Sequence, residues 1–127
     1  MNADLNRISE LVIGCAYSVN STLGSGFLES VYEGAMSLEM ADRGLQFERQ
    51  KRLPVTYRNE VVGEFVADFV IEQCLILELK AVRALGPEHQ AQLLNYLNAS
   101  RLSIGLLINF GTTRVQVKRL VNQLREY

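Results

Sequence analysis

An α+β fold, in which helices flank a mixed sheet, is predicted by two changes of hydrophobic rhythm along the chain. Up to Arg43 the apolar residues recur at three- and four-residue steps, the spacing of a helical face; after Gly44 they gather into short runs broken by turn residues, as strands do. Helical spacing returns between Pro87 and Ser100, before an apolar run of buried-strand type. A length of 127 residues is close to the commonest size of one domain, so residues 1–127 are expected to fold as one.

The first helix is expected over Leu5 to Val19, where Leu5, Ile8, Val12, Cys15, Ala16 and Val19 share a face. Gly24, Ser25 and Gly26 interrupt it. A second helix runs from Phe27 to Arg43, with Gly44 as its C-terminal cap. Strand-like runs follow at Leu45 to Leu53, Val55 to Arg58, Val61 to Ile71 and Cys74 to Val82, joined by hairpin turns at Asn59-Glu60 and Glu72-Gln73. Pro87 opens the third helix, because a missing N–H costs nothing in a first turn. Ile104 to Phe110 is a buried strand, and beyond Gly111 the residues Val115, Val117 and Leu120 alternate with polar neighbours. Leu120 to Tyr127 are expected to form a short helix.

Composition narrows the function. Hydrophobic residues make up 48% and charged residues 21%, which disfavours disordered, collagen-like and disulfide-scaffold classes. Thirteen basic residues against 14 acidic ones give a net charge of -1, so non-specific attraction to DNA is weak and any phosphate binding is local. Cys15 and Cys74 stand alone without metal-ligand spacing, which fits a reducing cytoplasm. The longest apolar stretches fall far short of the ~20 residues that span a bilayer, so no membrane role is expected.

The chemistry is concentrated between Asp68 and Lys80. Along the strand from Cys74 to Val82, Leu75, Leu77, Leu79 and Ala81 face one way, and Ile76, Glu78 and Lys80 the other. In the preceding strand Val62, Glu64, Val66, Asp68 and Val70 share a face opposite Phe65, Ala67, Phe69 and Ile71. Pairing through the Glu72-Gln73 turn makes Asp68 and Glu78 cross-strand neighbours, so two carboxylates and a lysine converge on one patch. Such a patch needs a further cation, and its hard oxygens suit Mg²⁺ or Mn²⁺ in phosphodiester hydrolysis. The alternative is an exposed ion pair of Lys80 with Glu78 or Asp68 on the solvent face of a hairpin.

Three motifs extend the patch. Asp68 followed by Glu78-Leu79-Lys80 resembles the signature of the PD-(D/E)XK nucleases, with Ala67 where the signature's name has proline. Gly26-Phe27-Leu28-Glu29-Ser30-Val31-Tyr32 is similar to the GxxExxY motif of a family of small proteins placed in that superfamily, and Gln92 to Tyr96 resembles the QxxxY pattern of its RecB-like members. The resemblance implies a restriction-endonuclease-like core and a metal-dependent nuclease acting on DNA or RNA. It makes Asp68 and Glu78 metal ligands for Mg²⁺ or Mn²⁺, with the Leu79 carbonyl a third, and gives Lys80 the attacking water. Glu29 would reach the metal directly or through water; otherwise it is a helix-end acid interacting with the dipole. Gln92 would orient phosphate or lysine; without the motif, a half-buried Gln92–Tyr96 pair that satisfies itself is the alternative. Tyr96 and Tyr32 would bond at the site, although an aromatic at the Tyr32 spacing is more often core.

Arg83, Arg114, Lys118 and Arg119 are candidate phosphate contacts or, equally, an ordinary solvated face, and His89 is expected to be an exposed surface residue. Near-neutral charge favours a homodimer or a protein partner to supply missing binding surface. Rival readings are a non-catalytic nucleic-acid- or protein-binding module and a hydrolase of smaller phosphorylated metabolites.

Overall fold

The N-terminal helical spacing becomes two helices packed together, α1 (Asn2–Leu23) and α2 (Glu29–Asp42), in a computed structural model that describes residues 2–122. α1 runs on past Val19 because Asn20 to Leu23 contain no helix breaker, and its last turn closes with Gly24 N–H donating to the Asn20 carbonyl at 2.9 Å. α2 starts at Glu29 and not at Phe27, since Leu28 is already extended as the residue before the first turn. Gly44 follows the helix, donating to the Ala41 carbonyl at 3.0 Å.

The expected runs Leu45 to Leu53 and Val55 to Arg58 form one strand, β1 (Phe47–Tyr57). Pro54 does not divide it, because β1 lies at the sheet edge, where a missing N–H leaves no ladder partner wanting. The turn into β2 (Glu60–Ile71) falls at Arg58-Asn59, one residue earlier than expected, with left-handed φ of 53° and 64° that suit a two-residue hairpin. β3 (Leu75–Lys80), α3 (Pro87–Ser100), β4 (Ile104–Asn109) and β5 (Gln116–Val121) complete the described chain. Leu120 and Val121, expected to begin a helix, instead pair with Gly105 and Ile104; residues 123–127 of that expected helix lie outside the described residues.

The five strands form one sheet in chain order, with β3 and β4 parallel and the other neighbours antiparallel. α3 makes the parallel crossover. α1 and α2 cover one face, with Leu75, Leu77 and Leu79 wholly buried beneath them. α3 covers the other face over Ile76, Leu107 and Ala67. Each fully buried leucine contributes about 1.5–3 kcal/mol, so β3 is anchored from both sides. Among the described residues no helix is long and apolar enough to cross a membrane.

One expectation about the hairpin fails. Phe69 and Ile71 pack toward α1 and α2, but Phe65 and Ala67, placed on the same face by strict alternation, pack toward α3. β1 does the same, with Phe47 on the first side and Leu53 on the second. The swap occurs where Gln50 adopts φ 48° and Asp68 stands opposite; the flanking pairs Arg49–Phe69 and Lys51–Ala67 persist, and the pair between them is absent.

Candidate active site

β2 and β3 pair only from Phe69–Leu77 to Ile71–Leu75. At the next register position, Asp68 opposite Glu78, the strands part, and two backbone N–H groups would be left without ladder acceptors. Each carboxylate supplies one: Asp68 N–H donates to Glu78 Oε2 at 2.6 Å, and Leu79 N–H donates to Asp68 Oδ2 at 2.8 Å. An unmet buried N–H costs about 1–3 kcal/mol, so the acids hold open a divergence that would otherwise be unfavourable.

Glu78 is only 4% exposed. Burial first, then the charge of Asp68, pushes its carboxyl up to about 8, with the Asp68 N–H bond and Lys80 opposing. Asp68 is also raised, chiefly by burial, against the stabilising Leu79 N–H bond. Lys80 forms no ion pair within 4 Å among the described residues; its Nζ donates to Gln92 Oε1 on α3 at 3.0 Å. The exposed ion pair considered from sequence is thereby excluded.

Glu29, in the exposed first turn of α2, is raised by local desolvation and then by Asp68, while Lys80 lowers it. Among the described residues no three His, Cys, Asp or Glu side chains stand together as metal ligands, so the three-carboxylate set expected from sequence is not assembled. The reason is the placement of α2, whose Tyr32 and Met36 are locked in the core and whose first residue stays at the rim. Gly26, at φ 113°, takes a backbone conformation open to glycine and turns the chain into that helix start.

Tyr32, expected at the site, is wholly buried. Its ring stacks on Phe110 with centroids 4.4 Å apart, and its hydroxyl donates to the Gly24 carbonyl at 2.6 Å and accepts from Phe27 N–H at 3.3 Å. It fastens the loop ahead of Glu29. Tyr96 packs on Phe65, and its phenol is raised by burial and by the charges of Glu78 and Asp68. Arg83 is exposed in the loop after β3. His89 is half-buried, not exposed, because its Nδ1 accepts the Gly86 N–H at 3.0 Å and caps α3. Arg114, Lys118 and Arg119 are exposed on the β5 side, and Arg119 donates to Asn6 Oδ1 on α1 at 2.9 Å.

Sequence reasoning missed three residues. Glu33, one turn after Glu29, accepts from Arg49 Nη2 at 2.8 Å and from Gln50 Nε2 at 2.6 Å; Gln50 Nε2 also lies 3.4 Å from Asp68 Oδ1. The four-residue spacing from Glu29 to Glu33 was a visible signal for the first, while no local signal marks Gln50. Asn109, 0% exposed at the end of β4, accepts from Val82 and Gly111 N–H and donates to the Val82 carbonyl and Gln116. It clasps the chain two residues after Lys80. A Cβ at Gly111 would lie 2.1 Å from the Val82 carbonyl oxygen, so only glycine permits this clasp.

The donor set fits a hard dication. Asp68 and Glu78 each commit one oxygen to a backbone N–H, Asp68 Oδ1 stands 3.4 Å from Gln50 Nε2 with lone-pair capacity left, and with both acids ionised Lys80 alone would leave excess negative charge. Two carboxylates with water and phosphate filling the remaining positions are what Mg²⁺ commonly accepts.

No curated protein matches this chain in sequence. Among solved structures, the crystal structure of SSO0001 is similar, at 20% identity and a TM-score of 0.58 over 94% of this chain. This chain spans 60% of the length of that one, and the likeness concerns the fold. The family profile described as the PD-(D/E)XK nuclease superfamily matches residues 6–120. With nearly the whole described chain inside that match, the protein belongs to the PD-(D/E)XK nuclease superfamily.

Proposed function

We propose that this protein is a metal-dependent nuclease that hydrolyses phosphodiester bonds of DNA or RNA, with Asp68 and Glu78 holding Mg²⁺ or Mn²⁺ and Lys80 orienting the attacking water. The observation that carries this reading is the pair formed by buried Glu78 and half-buried Asp68, set at the parting of two strands with Lys80 on the same strand as Glu78. A bound dication would hold both acids in their ionised form and polarise the scissile phosphoryl group.

The chain's own residues supply the rest. Glu78 and Lys80 share one face of β3, so water between them and the phosphate meets an ammonium whose position is limited by Gln92. The Tyr96 ring packs on Phe65, which fits an apolar flank to the site. Arg83, exposed in the loop after β3, is the side chain this reading assigns to a neighbouring phosphate.

The test is thermal. Mn²⁺ should raise the melting temperature of the wild type as any native-state ligand does, and the rise should vanish in Asp68→Asn, together with cleavage of a panel of single-stranded, duplex, branched and RNA substrates. Equal shifts in both proteins would place the metal elsewhere. Oligonucleotide binding without metal-dependent cleavage would favour a binding module.

Glu29→Gln separates the rim acid from the pair. Coupled through space or through one water, Glu29 should contribute roughly three- to tenfold to Mn²⁺ affinity in calorimetric titration, with stability changed by at most about 1 kcal/mol. Unchanged affinity would reduce Glu29 to a helix-end acid.

A further inference from the structure

We infer that Gln50 is a positioning residue for Asp68, and that Glu33 sets the direction of its amide; the inference rests on the metal-site reading of Asp68 and extends it to residues outside the three motifs. An ionised Glu33 can only accept hydrogen bonds. One of its oxygens takes Arg49 and the other takes Gln50 Nε2 at 2.6 Å, so Gln50 must present its amino end to α2. The second N–H on that nitrogen is then directed to Asp68 Oδ1, 3.4 Å away.

Asp68 is thus held at both oxygens, Oδ2 by the Leu79 N–H and Oδ1 by Gln50. Each oxygen keeps lone-pair capacity for a cation, while rotation of the carboxylate is restrained. The backbone is shaped to the same end. Gln50 has φ 48° in the middle of a strand, where a side chain other than glycine, asparagine or aspartate is uncommon, and it stands at the one position between Arg49–Phe69 and Lys51–Ala67 where the ladder is interrupted. A residue chosen for backbone comfort alone would be glycine. A glutamine at this strained position, bonded to Glu33 and aimed at Asp68, indicates that its amide is what the site uses.

Two variants separate the amide from the backbone. Gln50→Gly keeps the left-handed conformation and relieves strain; Gln50→Met keeps the bulk and the strain but has no donor. Hydrogen exchange in metal-free protein should show the Leu79 amide exchanging about fivefold to tenfold faster in both variants, with Leu77 unchanged, because Asp68 Oδ2 is no longer steadied. Mn²⁺ affinity should fall by a similar factor in both, although the melting temperature rises in Gln50→Gly and stays near wild type in Gln50→Met. Unchanged Leu79 exchange, or affinity that simply follows melting temperature, would overturn the role of Gln50. Wild-type protein that fails to bind Mn²⁺ would overturn the metal reading itself, an outcome distinct from variants that match a metal-binding wild type.

Discussion

Lys80→Ala is expected to cut metal-dependent cleavage by about 10²–10⁴-fold, the range for losing a group that positions or protonates at the reacting centre. Mn²⁺ affinity should hold or rise, because the substitution removes a positive charge that lowers the proton affinity of Asp68 and Glu78 and repels a cation. Folding should survive, since Lys80 is half-buried and, among the described residues, its one side-chain hydrogen-bond partner is Gln92. Gln92→Ala leaves the ammonium present but unsteadied and should cost about tenfold. Single-turnover cleavage beside calorimetric Mn²⁺ titration separates the two effects. Lys80→Ala with near wild-type cleavage would show that the lysine serves only as a counter-charge.

Glu78→Gln should act most strongly on the metal-free protein and in the opposite sense from an ordinary site mutation. The folded carboxyl is raised to about 8, whereas an unfolded glutamate titrates near 4.3. Between these values folding takes up a proton, so stability is fullest below the unfolded pKa and is lost as pH rises through the folded one. Wild type should lose on the order of 3 kcal/mol between about pH 5 and pH 9 in urea unfolding. Glu78→Gln should lose less, the remainder coming from Asp68 and Glu29, which are displaced in the same direction. Added Mn²⁺ reverses the order, since the variant forfeits a charged ligand. Parallel pH curves for the two metal-free proteins would mean that Glu78 is not held protonated by its surroundings.

What was legible in the sequence was the part written in local rhythm. β3 announced itself because Leu75, Leu77 and Leu79 alternate with Ile76, Glu78 and Lys80, and both faces are buried as that pattern requires. The meeting of Asp68 and Glu78 followed from a short turn and a two-residue period. The manner of their meeting did not, because alternation assumes an unbroken ladder and the ladder ends at these residues. Gln50 was invisible for a related reason: its left-handed φ goes with contacts to residues of α2 and β2 distant in the chain, and neither glycine nor asparagine marks the place. Tyr32 carried a motif letter and a core spacing together, and burial decided for the core. Asn109 looked like the polar end of an apolar run until the loop after Lys80 folded back upon it.

The face swap at Gln50 and Asp68 divides the hairpin into two mechanical parts. Below it the strands share the cohesion of the sheet; above it they form a ribbon supported by α3 on one side, with Val62, Val66 and Arg52 open to solvent on the other. Thermal opening should therefore begin in the ribbon and travel down to the swap, where the well-anchored β3 resists it. Glu78 and Lys80 would stay seated in such an excursion while Asp68 loosened, so the two acids belong to regions of unequal local stability. The Asp68–Glu78 pair would then come apart at far lower free energy than the fold, and a cation held by both acids would stiffen the ribbon above it.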